Sequence, residues 1–309
     1  MRRLLALLIA LALSLSLAGC GGSEESASTG TAETEAAAET AEGKTGAGAA
    51  QQPDEAQTEF EEIVVFDDEK CLVKITGIDP ENDWGYTVNV YLENRLTDEN
   101  LCFEAGITSV NGIEAASFIA AGLPAGKNTN EEIRLLDRKL YMPDVGDFTD
   151  IELTFAVAPY VLSAGDVAAQ ESVHIYPYGE ENAVKYVRAA QPEDIVLVDN
   201  DDASIIVTGF EMDSVWGYTV DLYLVNKTDR DLCLGCDAYS INGIEADLSG
   251  AQSVRGGHVM FSSMTWSAST LEEYGIETVE EIEIQYLLDD FGPRESPVNE
   301  TNETVTLKP

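Results

Sequence analysis

The chain has 309 residues, of which 17 are basic and 57 acidic, giving a net charge of −40. That balance excludes nucleic acid as a ligand, because phosphate binding needs clustered Lys and Arg to displace counterions, and it excludes electrostatic docking on anionic lipid. What it implies is a solvated acidic surface, and net charge alone selects no partner.

The N-terminus reads MRRLLALLIALALSLSLAGCGGS. Arg2 and Arg3 precede an apolar run from Leu4 to Leu17, shorter than the roughly 20 residues of a membrane-spanning helix. Small residues follow, the pattern of a cleaved secretory signal. Leu17-Ala18-Gly19-Cys20 resembles the lipobox of bacterial lipoproteins. That resemblance implies that residues 1–19 are removed and that Cys20 becomes the lipid attachment site, on its thiol and its new amine. Several acyl chains on one residue suffice for stable anchoring. The expected location is the cell membrane, lipid-anchored, on the extracytoplasmic face, with the Gram type of the envelope left open.

Residues 20–58 change character. From Gly21 to Thr58 the chain has no aromatic, Val, Ile or Leu residue, so it cannot bury enough apolar surface to offset the entropy of ordering. It is expected to be a disordered acidic tether, about 30–35 Å end to end as a flexible coil. Repulsion among Glu33, Glu35, Glu39 and Glu42 would extend it.

Beyond it the sequence repeats. WGYTVNVYLEN from Trp84 returns as WGYTVDLYLVN from Trp216. In chain order, Val64–Asp67 matches Val196–Asp199, and Thr76-Gly77 matches Thr208-Gly209. Leu101-Cys102 matches Leu232-Cys233, and Asn111–Ala115 matches Asn242–Ala246. Asp150–Leu153 matches Glu281–Ile284, and Glu171–Val173 matches Glu303–Val305. A register sustained this far is a tandem domain duplication, with a period too long for a solenoid. Residues 59–178 form the first domain, 179–193 a linker and 194–309 the second, and each copy is long enough to bury a core.

Within a copy the period is two. Trp84, Tyr86, Val88, Val90 and Leu92 are expected on one face of a half-buried strand, as are Trp216, Tyr218, Val220, Leu222 and Leu224. Ile151, Leu153, Phe155 and Val157 make another inner row, matched by Ile282, Ile284, Tyr286 and Leu288. Asn-Gly at 111–112 and 242–243 predicts type I′ hairpin turns. Helical turns are expected near Asp137–Leu140 and Ser269–Tyr274, and the linker carries Val184, Tyr186 and Val187, which can dock. About seven strands per copy give an all-β chain: two tandem immunoglobulin-like β-sandwich domains after a lipoprotein signal peptide and an acidic tether. A small closed barrel is the alternative.

The string WGYTV-x-x-YL-x-N, then T-D-x-x-L, then S-x-NGIEA resembles a family of tandem-domain lipoproteins of Gram-positive gut bacteria. The resemblance covers about residues 60–309 and implies fold and location, with no activity to carry over. In that family an aromatic-rich stretch often follows the Asn-Gly pair. Here Ala115-Ala116-Ser117-Phe118 and Ala246-Asp247-Leu248-Ser249 are thinner.

Chemistry-bearing residues are sparse. His174 alternates with inward Val173 and Ile175, which places it outside, and His258 aligns with Lys127 as a basic turn residue. Cys102 and Cys233 are equivalent positions. Cys233-Leu-Gly-Cys236 has redox or zinc spacing, but no second such pair supports it. Disulfides Cys71–Cys102 and Cys233–Cys236 are open in an exported protein, with buried free thiols as the default. The acidic turns Asp67-Asp68-Glu69 and Asp199–Asp202 lack the calcium-loop spacing. No catalytic residue, metal site or cofactor is expected. The reading is a non-enzymatic binding or scaffolding protein of the cell envelope. Its partners would be the membrane, through the anchor, and an envelope or extracellular protein or glycan, with no nucleic acid. The candidate surfaces are the Tyr91 and Tyr223 rows, expected to be exposed, and the inter-domain groove. The alternatives are a spacer without a specific ligand and an envelope-acting hydrolase working through two carboxylates.

Overall fold

The computed structural model describes residues 60–135, 145–160, 169–214, 217–290 and 304–309. The signal segment, Cys20, the tether, Trp216 and the turn expected at Asp137–Leu140 lie outside the described residues. No helix among the described residues is long and apolar enough to cross a membrane.

The chain is all-β. The first half carries β1 (Ile63–Asp67), β2 (Cys71–Asp79), β3 (Tyr86–Asn94), β4 (Leu101–Val110), β5 (Ile113–Leu123), β6 (Asn128–Leu135), β7 (Ile151–Pro159) and β8 (Ala169–Ile175). A short 3-10 turn at Glu180–Asn182 opens the connection. The second half carries β9 (Ile195–Asp199), β10 (Ala203–Ser214), β11 (Gly217–Asn226), β12 (Leu232–Ile241), β13 (Ile244–Ser249), β14 (Gln252–Val254), β15 (Val259–Ser267), β16 (Ile282–Asp290) and β17 (Thr304–Leu307). The one helix among them, α1 (Ala268–Tyr274), begins at a Ser267 cap whose hydroxyl accepts from Thr270 N–H, and it stops at Gly275 with a left-handed φ of 67°.

Two β-sandwiches result. In the first, a sheet ordered β1-β2-β3-β6 faces the strands β8-β7-β4-β5. In the second, β9-β10-β11-β15 faces β13-β12-β16-β17, with β14 beside β12. Alternating side chains fill each interior: Val73, Ile75, Val88, Val90, Phe103, Leu153 and Phe155 in one, and Ile205, Val220, Leu222, Leu234 and Ile284 in the other. The halves do not stop at each other. Val259 of β15 pairs in parallel with Ile113 of β5, so one eight-stranded sheet runs β8-β7-β4-β5-β15-β11-β10-β9 through both sandwiches.

The repeated sequence motifs are the fittings of this frame. The Thr-Gly pairs mark β-bulges, where the β2–β3 register shifts between Ile75 and Gly77 and the β10–β11 register between Val207 and Gly209. Asn94 is buried, and its side-chain amide donates to Glu99 O and Leu123 O. Asn226 does the same to Arg230 O and Val254 O. Each Asn-Gly turn has positive φ at both positions, 51° and 77° at 111–112 and 51° and 74° at 242–243.

Three expectations need correction. Trp84 is not on the inner row: β3 begins at Tyr86, and Trp84 is 67% exposed. Gly85, with φ of 111°, breaks the strand parity that the sequence suggested. The described strands number eight and nine, against about seven expected per copy. In the second half, the counterpart of β5 is divided into β13 and β14 around Gly250, whose N–H turns to Cys236 O. A side chain at Gly250 would collide with Met264, its Cβ lying 2.3 Å from Met264 Cγ. The third concerns Tyr223 and belongs to the surface described next.

Candidate interaction surface

A dense polar cluster lies where the sandwiches meet. The turn before β15 sends Arg255 against the hairpin end of the first domain. Its backbone N–H donates to Glu114 Oε1 at 2.9 Å and its Nε at 3.0 Å. Nη1 donates to Glu152 Oε1 at 2.8 Å and Nη2 to Thr108 O at 3.0 Å. Ser109 Oγ donates to Glu152 Oε2 at 3.0 Å, and His258 Nε2 stands 3.4 Å from the same oxygen. Both carboxylates are largely covered, with side chains 12% exposed. Burial alone would raise Glu152. The bond from His258, the Arg255 charge and bonds, and the Ser109 hydroxyl overcome it and hold the carboxyl at about 2. A carboxylate this saturated is a poor proton donor at neutral pH. The cluster is built as a joint.

Backbone bonds complete it. Val259 N–H donates to Gly112 O at 3.0 Å and Tyr186 N–H to Asn111 O at 2.8 Å. Asn111 is itself fixed, its Oδ1 accepting from the N–H groups of Thr149 and Asp150. The linker lies along the outer face of β11 and β15. Tyr186 meets Phe261 edge-on at 5.8 Å, Phe261 meets Tyr223 at 5.2 Å, and the Arg188 guanidinium lies over the Tyr223 ring while pairing bidentately with Asp194. Tyr223 is therefore 5% exposed, not the open row that alternation implied. The linker covers it, while Tyr91, its counterpart, is half-buried. Of the linker's apolar residues Tyr186 docks, whereas Val184 and Val187 face solvent.

A second surface continues from this joint along the outer face of the first domain. Register places Phe118 beside Gly106 and Thr154, Ala120 beside Glu104 and Ala156, and Gly122 beside Cys102 and Ala158. Most residues of the strip are small, and two aromatic rings bound it: Phe118 is 70% and Tyr160 61% exposed. The glycines make room for them. A Cβ at Gly106 would lie 3.0 Å from Phe118 Cβ, and one at Gly122 would lie 2.5 Å from the Tyr160 ring. Glu104 sits among these apolar neighbours, and burial pushes its carboxyl up. Ala115–Phe118, after the Asn-Gly hairpin turn, gave little hint of this, since Phe118 is the lone aromatic there. The signal in the sequence was the small residues on the outward parity of three strands.

The remaining candidates resolve into structure. Cys71, Cys102, Cys233 and Cys236 are all free thiols. Cys71 points into the interior while Cys102 lies on the outer face of the opposite sheet, and Cys233 and Cys236 occupy opposite faces of β12. Neither considered disulfide is geometrically available. In the acidic turns, Asp68 Oδ1 accepts from Lys70 and Cys71 N–H, and Asn200 Oδ1 from Asp202 and Ala203 N–H. The adjacent charge is met by Arg95 on Asp67 and Lys227 on Asp199. His174 is exposed on β8 and bonds Asp150 at 2.7 Å. His258 is more than a turn residue, since it belongs to the joint.

No protein-family model matches the chain, and no curated protein matches it. Among solved structures it is similar to red sea bream transglutaminase at 14% identity and a TM-score of 0.24, over 72% of this chain. The chain spans 29% of that protein's length.

Proposed function

We propose that this is a lipid-anchored extracytoplasmic protein, held by Cys20 and lifted from the membrane by residues 20–58, that binds or scaffolds another envelope component without catalysing a reaction. The lipobox and tether carry the location, and the resemblance to tandem-domain lipoproteins agrees with it. The observation that carries binding is the strip of Ala120, Gly106, Gly122, Ala156 and Ala158 around Glu104, between exposed Phe118 and Tyr160. A strip of mostly small residues around Glu104, flanked by two exposed aromatic rings, favours a partner over a bare spacer. The docked joint serves the same end, because it presents that face at a fixed angle to the second domain. The polar residues of the joint are committed to each other, which also weighs against hydrolysis by a carboxylate pair there.

The test is capture from envelope extract and culture fluid on immobilised residues 20–309, with Phe118→Ser/Tyr160→Ser as the control. Retention of one protein or glycan by the parent and its loss from the folded variant is the expected result. Equal retention by both, or no specific retention by the folded parent, rejects the strip as the binding face.

A further inference from the structure

We infer that the hairpin end of the second domain, at Glu245, Glu283 and Gly243, is a second acceptor for an arginine-led edge strand, supplied by a protein other than this one. The argument rests on the duplication and is independent of the Phe118 strip.

The acceptor in the first domain consists of Glu114, Glu152 and the carbonyl of Gly112, with Ser109 and Asn111 holding them in place. Every one of these residues recurs. Ser240 Oγ donates to Glu283 Oε2 at 2.6 Å, as Ser109 does to Glu152. Asn242 Oδ1 accepts from Glu280 and Glu281 N–H and its Nδ2 donates to Thr278 O, repeating the bonds of Asn111. The turn has the same φ angles. What differs is the cover. Asn111 and Ile113 are buried and Glu114 half-buried beneath the Arg255 turn. Asn242 and Ile244 are only half-buried, and Gly243 and Glu245 are exposed. Where Thr108 lies beside the guanidinium in the first domain, the second has Tyr239, 47% exposed. Two carboxylates, a carbonyl at a strand edge with no partner among the described residues and an exposed phenol ring suit a guanidinium followed by a strand.

The occupant is argued from what this chain can spare. A second copy is a poor donor, since its Arg255 is already bonded to its own Glu114 and Glu152. The equivalent turn of the first domain places Pro124 where Arg255 stands, with neither the guanidinium nor the backbone N–H that Glu114 receives. The donor that fits is therefore a different protein whose edge strand starts four residues after an arginine, with net positive charge at that end.

The probe is a capped peptide of the chain's own donor, residues 252–261 (QSVRGGHVMF), titrated into the full chain expressed without lipid and followed by amide NMR. Saturable shifts at Gly243, Ile244 and Glu245 are expected. A peptide with Arg255→Ala should bind about tenfold more weakly or worse, as should the parent peptide to Glu245→Gln/Glu283→Gln protein, in line with loss of a charge-assisted bidentate pair. Folding of that variant is verified by its unchanged amide spectrum away from the turn. No saturable shift up to millimolar peptide, shifts confined to Gly112–Glu114, or binding indifferent to both substitutions would each overturn the inference. Sedimentation of the full chain alone decides the second-copy case: self-association abolished by Glu245→Gln/Glu283→Gln overturns the assignment to a foreign partner.

Discussion

The two Asn-Gly hairpin ends have the same turn angles, the same buttressing asparagine and the same Ser–Glu hydrogen bond, yet one is the foundation of a joint and the other faces solvent. The lesson is that the hairpin end is a fitting that each copy carries, and that the joint is made by what reaches it, Arg255 and His258 from one turn together with the backbone of Val259 and Tyr186. Duplication supplied the socket twice. The guanidinium of Arg255 fills one of them.

Removing that cation should have the largest effect. Arg255→Ala removes the guanidinium from both covered carboxylates, leaving Glu152 to Ser109 and His258 and Glu114 to the backbone N–H of residue 255, and breaking one partner of a largely buried pair costs up to about 3–5 kcal/mol. Denaturant unfolding should then split into two transitions, one per sandwich, where the parent shows coupled unfolding. A single unshifted transition would mean that the linker contacts at Tyr186 and Arg188 carry the coupling.

Acid should open the same joint without a substitution. Glu152 is held down to about 2 in the folded protein, with a side chain only 12% exposed. A depressed carboxyl contributes stability that is present above its unfolded pKa and is lost as pH falls toward the folded value. The loss therefore spans roughly pH 4.5 to 2, and a shift of this size corresponds to about 3 kcal/mol. Glu152→Gln should flatten the stability profile across that window, read as denaturation midpoints at successive pH values. A profile as steep in the variant as in the parent would locate the acid sensitivity elsewhere among the many carboxylates.

The buttressing asparagines give a smaller, paired comparison. Asn111→Ala and Asn242→Ala both remove three or more hydrogen bonds and a residue suited to φ of 51°. Asn111 is buried and carries the joint, so its loss should cost about 2–3 kcal/mol, and that of Asn242 about 1–2 kcal/mol. Equal midpoint shifts would show that the joint adds nothing to the turn.

Much of the frame was legible because it repeats. Thr-Gly bulges, the buried Asn94 and Asn226, and the Asn-Gly turns sit at matched positions, and local backbone demands fix those residue types. The joint was not legible for the opposite reason. Glu114, Glu152, Arg255 and His258 are far apart in sequence, follow no period, and are useful only once β5 and β15 are side by side. Alignment misled at His258, since Lys127 in the other copy made a turn residue look sufficient. The signal lay in the mismatch of Pro124 with Arg255, a change of charge inside an otherwise matched turn. Alternation failed at Trp84, where Gly85 interrupts the strand, and at Tyr223. There it named the outward face correctly but could not show that Tyr186 and Arg188 would lie on it.

The smallest expected effect concerns the thiols, and it separates the faces of the two sandwiches. Cys71 and Cys236 point inward, and burial raises them to about 11 and about 12. Cys102 and Cys233 are equivalent, half-buried and outward, each raised first by burial, then by Glu104 in one case and by Asp289 and Asp237 in the other. The thiolate is the nucleophile, so at neutral pH the outward pair should alkylate more slowly than a free thiol. The inward pair should react only through unfolding. Peptide mapping after timed labelling of the folded chain reads all four. Cys102 borders the Phe118 strip, so bound partner should slow Cys102 and leave Cys233 unchanged. Equal slowing of both would move the binding face off the first domain.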